Sequence, residues 1–287
     1  MVSSRFSRAL VYMLLLLSIV ETAGVFSGNI GFGVIASRVG ESAFYLVLAV
    51  FIYCFFSGDK GLFLISGLGL TASFTVLLKT VLKMPRPPES EWLINAEGPG
   101  FPSGHAAMSF SFALLVFFAT RDKVLGLALF IHAISVSYSR VLLHVHYPID
   151  VIGGAILGLL FSYITYTIYR RLGRQYGKYL VLIGLFMSLT SIVSSIEMPE
   201  YTDAPLLTGV SFGVVLSGVV MDTYKDEYLL RRDMVLRFIS LVIGFTGLAS
   251  VLVLESMDSY ITILIGGFIF ALLVFLSRPL ASKLVKP

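Results

Sequence analysis

Three short segments of the chain carry residue types able to hold an oxyanion and pass a group to an imidazole. The first, Lys79-Thr-Val-Leu-Lys-Met-Pro-Arg86-Pro87, sets two cations about two helical turns apart, a spacing that can point both the same way. Pro85 and Pro87 are expected to end that helix and to fix Arg86 in a turn. The second, Phe101-Pro-Ser-Gly-His105, stands just before an apolar run. Ser103 there is a suitable N-cap, and the free N–H groups and positive dipole end of a helix N-terminus make an anion site beside His105. The third is Ser139-Arg140-Val-Leu-Leu-His144-Val-His146-Tyr-Pro-Ile-Asp150. Asp150 can accept a proton from one ring nitrogen of His146 and leave the other as a nucleophile, the base-and-orienter arrangement of a catalytic triad.

Each segment has a plainer reading when taken alone. Lys79 and Arg86 can be snorkelling cations at a helix end. Ser103 can be only a cap, and a carboxylate such as Asp150 is favourable at any helix N-terminus. His144 and His146, two apart with one nearby carboxylate, are a weak signal for a metal. His132, inside an apolar stretch, reads best as a core residue. The segments gain weight through the elements that must position them.

Those elements are membrane helices. Of the 287 residues, 57% are hydrophobic and 13% charged, against about 45–50% and about 25% in a soluble domain. About ten apolar stretches approach the ~20 residues needed to cross a bilayer: Ala9–Phe26, Ala43–Ser57, Gly61–Leu82, His105–Thr120, Val124–Leu142, Ile149–Tyr169, Tyr179–Ile196, Pro205–Val220, Val235–Leu254 and Tyr260–Leu276. The first, which follows Arg5 and Arg8, is read as a retained helix and not as a signal peptide. The Gly-rich segment Ser27–Ser42 is expected to be interfacial or re-entrant. Gly154–Gly158 and Gly209–Gly213 have the spacing of close helix packing. The single cysteine, Cys54, lies in an apolar run and excludes an internal disulfide or a cysteine-based zinc site. The net charge of +4 is modest, and no basic run points to nucleic acid.

With the N-terminus in the cytoplasm and the helices alternating, most of the 21 Lys and Arg fall on the cytoplasmic side, as the positive-inside rule asks. Arg38, Lys79, Lys83, Arg86 and Arg140 fall on the other side. Four of these flank the loops Met84–Gly104 and Leu143–Pro148, which also hold His144 and His146 and lead into His105. Cations and imidazoles gathered at one membrane face point to an anion site, and ionisable groups at that depth are costly unless they do work.

In these three segments the sequence resembles the type-2 phosphatidic acid phosphatase superfamily. Its signature Lys-x6-Arg-Pro is met by Lys79, Arg86 and Pro87, Pro-Ser-Gly-His by Pro102 to His105, and Ser-Arg-x5-His-x3-Asp by Ser139, Arg140, His146 and Asp150, all in order. The resemblance covers roughly Gly61–Leu157. It implies that Lys79, Arg86 and Arg140 bind phosphate with Ser103 and the Gly104 amide, that His146 forms a phosphohistidine, and that Asp150 orients it. His105 would protonate the leaving oxygen and then activate water. Phosphoryl transfer rests mainly on positioning and on charge stabilisation, which three cations can supply, so no metal and no other cofactor is expected.

The expected fold is an all-α polytopic membrane bundle of about ten transmembrane helices: a six-helix phosphatase core within residues 1–176 and a C-terminal four-helix membrane extension over 177–287. The expected activity is hydrolysis of a lipid-linked phosphate such as polyprenyl diphosphate, phosphatidate or phosphatidylglycerol phosphate, at the extracytoplasmic face. The alternatives are hydrolysis of a soluble sugar phosphate, phosphotransfer to an acceptor hydroxyl, and anion transport. Transport would leave Pro-Ser-Gly-His and the His146–Asp150 pair without purpose. The expected partners are the lipid substrate and the bilayer, not nucleic acid. The oligomeric state is left open.

Overall fold

The fold was taken from a computed structural model that describes residues 4–172, 175–198, 203–223, 238–240, 242–243, 246 and 260–284. Among them the chain is helical, with no strand. The helices are α1 (Ser4–Phe26), α2 (Ile30–Val39), α3 (Ser42–Phe51), α4 (Gly58–Leu82), α5 (Gly104–Thr120), α6 (Lys123–Leu142), α7 (Pro148–Leu172), α8 (Tyr176–Glu197), α9 (Asp203–Thr223) and α10 (Tyr260–Leu284). A π turn, Ile52–Phe56, continues α3. The expected span Val235–Leu254 lies mostly outside the described residues, as does the basic stretch Lys225–Arg232.

Six of these helices are long and apolar enough to cross a membrane, and α2 with α3 adds a seventh if the bent pair counts as one span. Two shorter apolar stretches, Gly104–Thr120 and Ile261–Ser277, accompany them. The protein is a polytopic membrane protein. The Gly-rich segment after α1 is not irregular: it forms α2, capped by Asn29, whose side chain accepts from Phe32 N at 3.2 Å. α2 meets α3 at a 46° bend.

The chain divides into two compact units, one of residues 1–45 and 82–163, the other of residues 46–81 and 164–287. In the first, α6 packs against α1, α2 and α5. Helix α7 crosses α5 at Gly154 and Gly158, where any Cβ would strike the Ser103 and Ala107 carbonyls. This is the small-residue approach expected from their spacing, and Ser162 Oγ donates across it to Ser111 Oγ at 2.8 Å. In the second unit, α9 lies between α8 and α10. Gly209 and Gly213 let α10 close in at Leu264 and Phe268, while Ser188–Ser211 (3.0 Å) and Ser195–Thr208 (2.9 Å) tie α8 to α9. Cys54 is buried there, with Sγ 3.6 Å from Ser277 Oγ.

Candidate active site

Three pieces of the first unit converge: the first turn of α5, the turn joining α6 to α7, and the loop that precedes α5. The α6–α7 turn is built by helix-end hydrogen bonds, Leu143 N to Ser139 O at 2.9 Å and Val145 N to Arg140 O at 3.2 Å. Leu143 and Val145 are fully buried and pin the turn from below, and His144 takes a left-handed φ of 58°. His146 is thereby brought to the start of α7, where Asp150 is in the first turn.

Asp150 Oδ2 accepts from Tyr147 N at 2.9 Å and stands 3.2 Å from His146 Nδ1, both side chains being almost fully buried. On the other side of the ring, Arg86 Nη1 is 2.9 Å from His146 Nε2. Arginine can only donate, so Nε2 presents its lone pair to Arg86 and the ring hydrogen sits on Nδ1, facing the carboxylate. The tautomer follows from the bonding network.

Arg86 does more than touch His146. Its Nε donates to Gly98 O (2.9 Å), Nη1 to Val145 O (2.8 Å) and Nη2 to Glu97 O (2.6 Å). It therefore staples the loop at residues 97–98 onto the α6–α7 turn. Leu93 N to Leu143 O (3.2 Å) is a second staple, and Trp92 Nε1 to Pro87 O (2.8 Å) closes the loop on itself. At Gly100 an added Cβ would come within 3.0 Å of Pro85 O and 3.1 Å of Asp150 Oδ2, so the loop runs directly against the carboxylate.

The first turn of α5 is held by Ser103 N donating to Asp150 O at 2.9 Å. Ser103 occupies the N-cap position but its hydroxyl makes no capping bond. Its Oγ and Arg140 Nε are both buried without a hydrogen-bond partner. Such atoms carry a desolvation cost of about 1–3 kcal/mol each, which an oxyanion can relieve. A Cβ added at Gly104 would meet nothing within 4 Å, so the helix N-terminus opens onto free space. His105 follows it, half-buried. This turn can receive an anion.

The structure thus joins Arg86, His146 and Asp150 by direct side-chain bonds and ties Ser103, with Gly104 and His105 after it, to Asp150 through the backbone. Arg140 is linked to Arg86 by the Val145 peptide, whose N–H goes to Arg140 O and whose C=O accepts from Arg86, and each guanidinium bears electrostatically on the other. Lys79 is buried in the last turn of α4, within the second unit. One expectation needs correction. α4 ends at Leu82 and Lys83 turns to a left-handed φ of 47°, so Arg86 is not on the helix that carries Lys79, and two-turn helical register does not relate them.

Several contributors had no signal in the sequence. The carbonyls of Glu97, Gly98 and Val145 belong to no motif. Ser37 of α2 accepts a short hydrogen bond from Arg140 Nη1. His132 is a core residue as expected, but a paired one: Nδ1 is 2.8 Å from Glu21 Oε2 and Nε2 is 3.1 Å from the Tyr45 hydroxyl.

Residues 60–174 match the model of the PAP2 superfamily, so that this segment of the chain is similar to that superfamily. Curated relatives are similar to part of the chain. The lipid A 4'-phosphatase of Bacteroides thetaiotaomicron is 39% identical over 75 residues, covering 26% of this chain and 33% of that protein. The undecaprenyl-diphosphatase of Sulfolobus acidocaldarius is 40% identical over 65 residues, covering 23% of this chain and 31% of that protein. The aligned stretch thus spans about a third of the length of either relative. No solved structure matches the chain significantly.

Proposed function

We propose that the protein is an integral-membrane phosphatase that hydrolyses a lipid-linked phosphate through a phosphohistidine on His146. The observation that carries this reading is the position of one imidazole between Asp150 at Nδ1 and Arg86 at Nε2. That arrangement puts the lone pair on Nε2 and sets a guanidinium where the phosphoryl group would arrive.

The Nε2 lone pair attacks phosphorus while the bond to the leaving oxygen breaks, and His105, protonated, supplies that oxygen with a proton. Arg86, Arg140, the Ser103 hydroxyl and the Gly104 amide take the charge on the equatorial oxygens. Asp150 stabilises the positive charge on the phosphorylated ring through Nδ1–H. His105, now neutral, removes a proton from water, the water oxygen attacks phosphorus, and the P–N bond breaks to return the lone pair to Nε2. The cations take the part that a metal plays in other phosphoryl-transfer sites.

A lipid-borne substrate is supported by the surface beside the turn. Tyr147, Ile149, Ile152, Ile156 and Leu160 leave an exposed apolar face that begins next to His146 and runs down α7, a surface an acyl or isoprenoid tail can follow. The relatives named above act on lipid A and on undecaprenyl diphosphate, which favours the same class here. Polyprenyl diphosphate, phosphatidate and phosphatidylglycerol phosphate are the substrates of first choice. The charge distribution favours a cytoplasmic N-terminus and an active site on the opposite face.

The test is phosphate release from detergent-solubilised protein across a panel of lipid and sugar phosphates, with EDTA present. Turnover of lipid phosphates, lost in His146→Ala, is expected. Activity that requires added magnesium, or that survives His146→Ala, would sink the mechanism, and turnover confined to sugar phosphates would sink the substrate class.

A further inference from the structure

We propose that Ser37, on a helix outside the family-matching segment, is a positioning residue that holds the Arg140 guanidinium in its phosphate-binding pose. The inference rests on the phosphatase reading above.

Arg140 is 4% exposed, and a cation so placed needs hydrogen-bond partners. The protein supplies one of them from a distant part of the chain: Ser37 Oγ accepts from Nη1. Nε of the same group is buried without a partner. The guanidinium is thus anchored at one end and unsatisfied along its edge, which suits a group waiting for an oxyanion. Arginine gives up rotamer freedom when fixed, and an anchor made before substrate arrives removes that cost from binding and from the transition state.

The hydroxyl of Ser37 serves a cation on another helix, whereas several buried helical serines here bond back to their own helix. Ser66 turns back to Leu62 O at 2.7 Å and Ser188 to Gly184 O at 2.8 Å, the usual local bond of a serine within a helix. Ser37 is 4% exposed and is used by Arg140.

The placement of α2 makes the contact possible. A Cβ at Gly40 would collide with Val136, and one at Gly33 would come within 3.1 Å of Leu142 Cδ2, so two glycines let α2 lie directly on the end of α6. Gly40 N also closes α2 onto Ala36 O at 2.9 Å. Glu41, just beyond, bears electrostatically on Arg140 with the opposite sign to Arg86, and so offsets some of the repulsion between the two guanidinium groups.

The experiment uses the full chain in detergent and measures the affinity for inorganic phosphate, kcat and KM on the best lipid phosphate, and the thermal midpoint. The variants are Ser37→Ala, Ser37→Thr and Arg140→Ala. Ser37→Ala is expected to weaken phosphate binding and lower kcat/KM by about tenfold, as for loss of one hydrogen bond to a charged group, at an unchanged midpoint. Ser37→Thr, which keeps the hydroxyl, is expected to recover most of that loss. Weakened phosphate binding in Arg140→Ala with wild-type affinity in Ser37→Ala overturns this inference and leaves the phosphatase reading standing. Equal losses in Ser37→Ala and Ser37→Thr also overturn it, because volume and not the hydroxyl would then matter. Wild-type phosphate affinity in Arg140→Ala brings down the phosphate-site reading, and this inference with it.

Discussion

Arg86 Nη1 and His146 Nε2 share a 2.9 Å hydrogen bond, with the arginine as the only possible donor. In the proposed reaction the attacking nitrogen is therefore held by a cation before substrate arrives. A phosphate oxygen can take over that N–H as it approaches, so the group that shields the nucleophile also guides the electrophile towards it. Because Arg86 is fixed to three backbone carbonyls, the exchange needs little movement of the side chain.

Arg86→Lys tests the fork directly. Lysine keeps the charge but cannot reach Gly98 O, Glu97 O, Val145 O and His146 together. The expected result is a fall in kcat of about a hundredfold or more, in line with the loss of charge-assisted bonds of about 1.5–3 kcal/mol each. Faster amide hydrogen exchange around residues 97–98 should accompany it. Wild-type turnover in Arg86→Lys would show that charge alone suffices.

Asp150→Asn asks what the carboxylate does. The amide keeps the shape but not the negative charge that, in the proposed mechanism, steadies the phosphorylated ring, and it can favour the wrong tautomer. A loss in kcat of about 10³–10⁴ is expected by analogy with the corresponding change in a serine-protease triad, with phosphate affinity largely kept. Initial rates of phosphate release and a phosphate titration separate the two.

Gly154→Val probes how α7 sets the anion turn. The new side chain must displace the Ser103 carbonyl, and overpacking of this kind costs about 1–3 kcal/mol. The variant should melt earlier in detergent, and the lipid-phosphate KM should rise because Ser103 and Gly104 shift together. An unchanged KM would argue that α5 does not hold the phosphate.

Glu21 and His132 form a half-buried pair between α1 and α6. Glu21→Leu leaves the His132 imidazole with only its Tyr45 partner, and loss of one such polar partner costs about 1–3 kcal/mol. The double variant Glu21→Leu/His132→Leu should recover much of the lost thermal stability. If the single and double variants melt alike, the pair contributes nothing of its own.

The apolar runs marked the helices closely: the span expected at Gly61–Leu82 is α4, Gly58–Leu82, and that at Val124–Leu142 is α6, Lys123–Leu142. Apolar length and breaker residues determine such elements locally. The three motifs marked the turns that meet in the first unit for the same reason, since proline, serine and aspartate act at the helix ends where they stand. Arg86 stands in a turn beyond α4, as the prolines led us to expect, but a left-handed residue, Lys83, ends the helix before the prolines do. Ser37 was invisible because its partner lies 103 residues away and neighbouring residues give no hint of it. The Glu21–His132 pair had half a signal: two ionisable groups in apolar helices must find partners, but which partners is a matter of tertiary packing.

The dependence of Arg140 on α2 has a practical consequence for anyone moving this chemistry between proteins. The stretch recognisable by kinship begins at residue 60, yet one of its cations is steadied by residue 37. A graft cut at the border of kinship would carry every signature residue and still deliver a slack guanidinium. Chimeras that bring residues 30–41 along with the motifs should outperform those that do not.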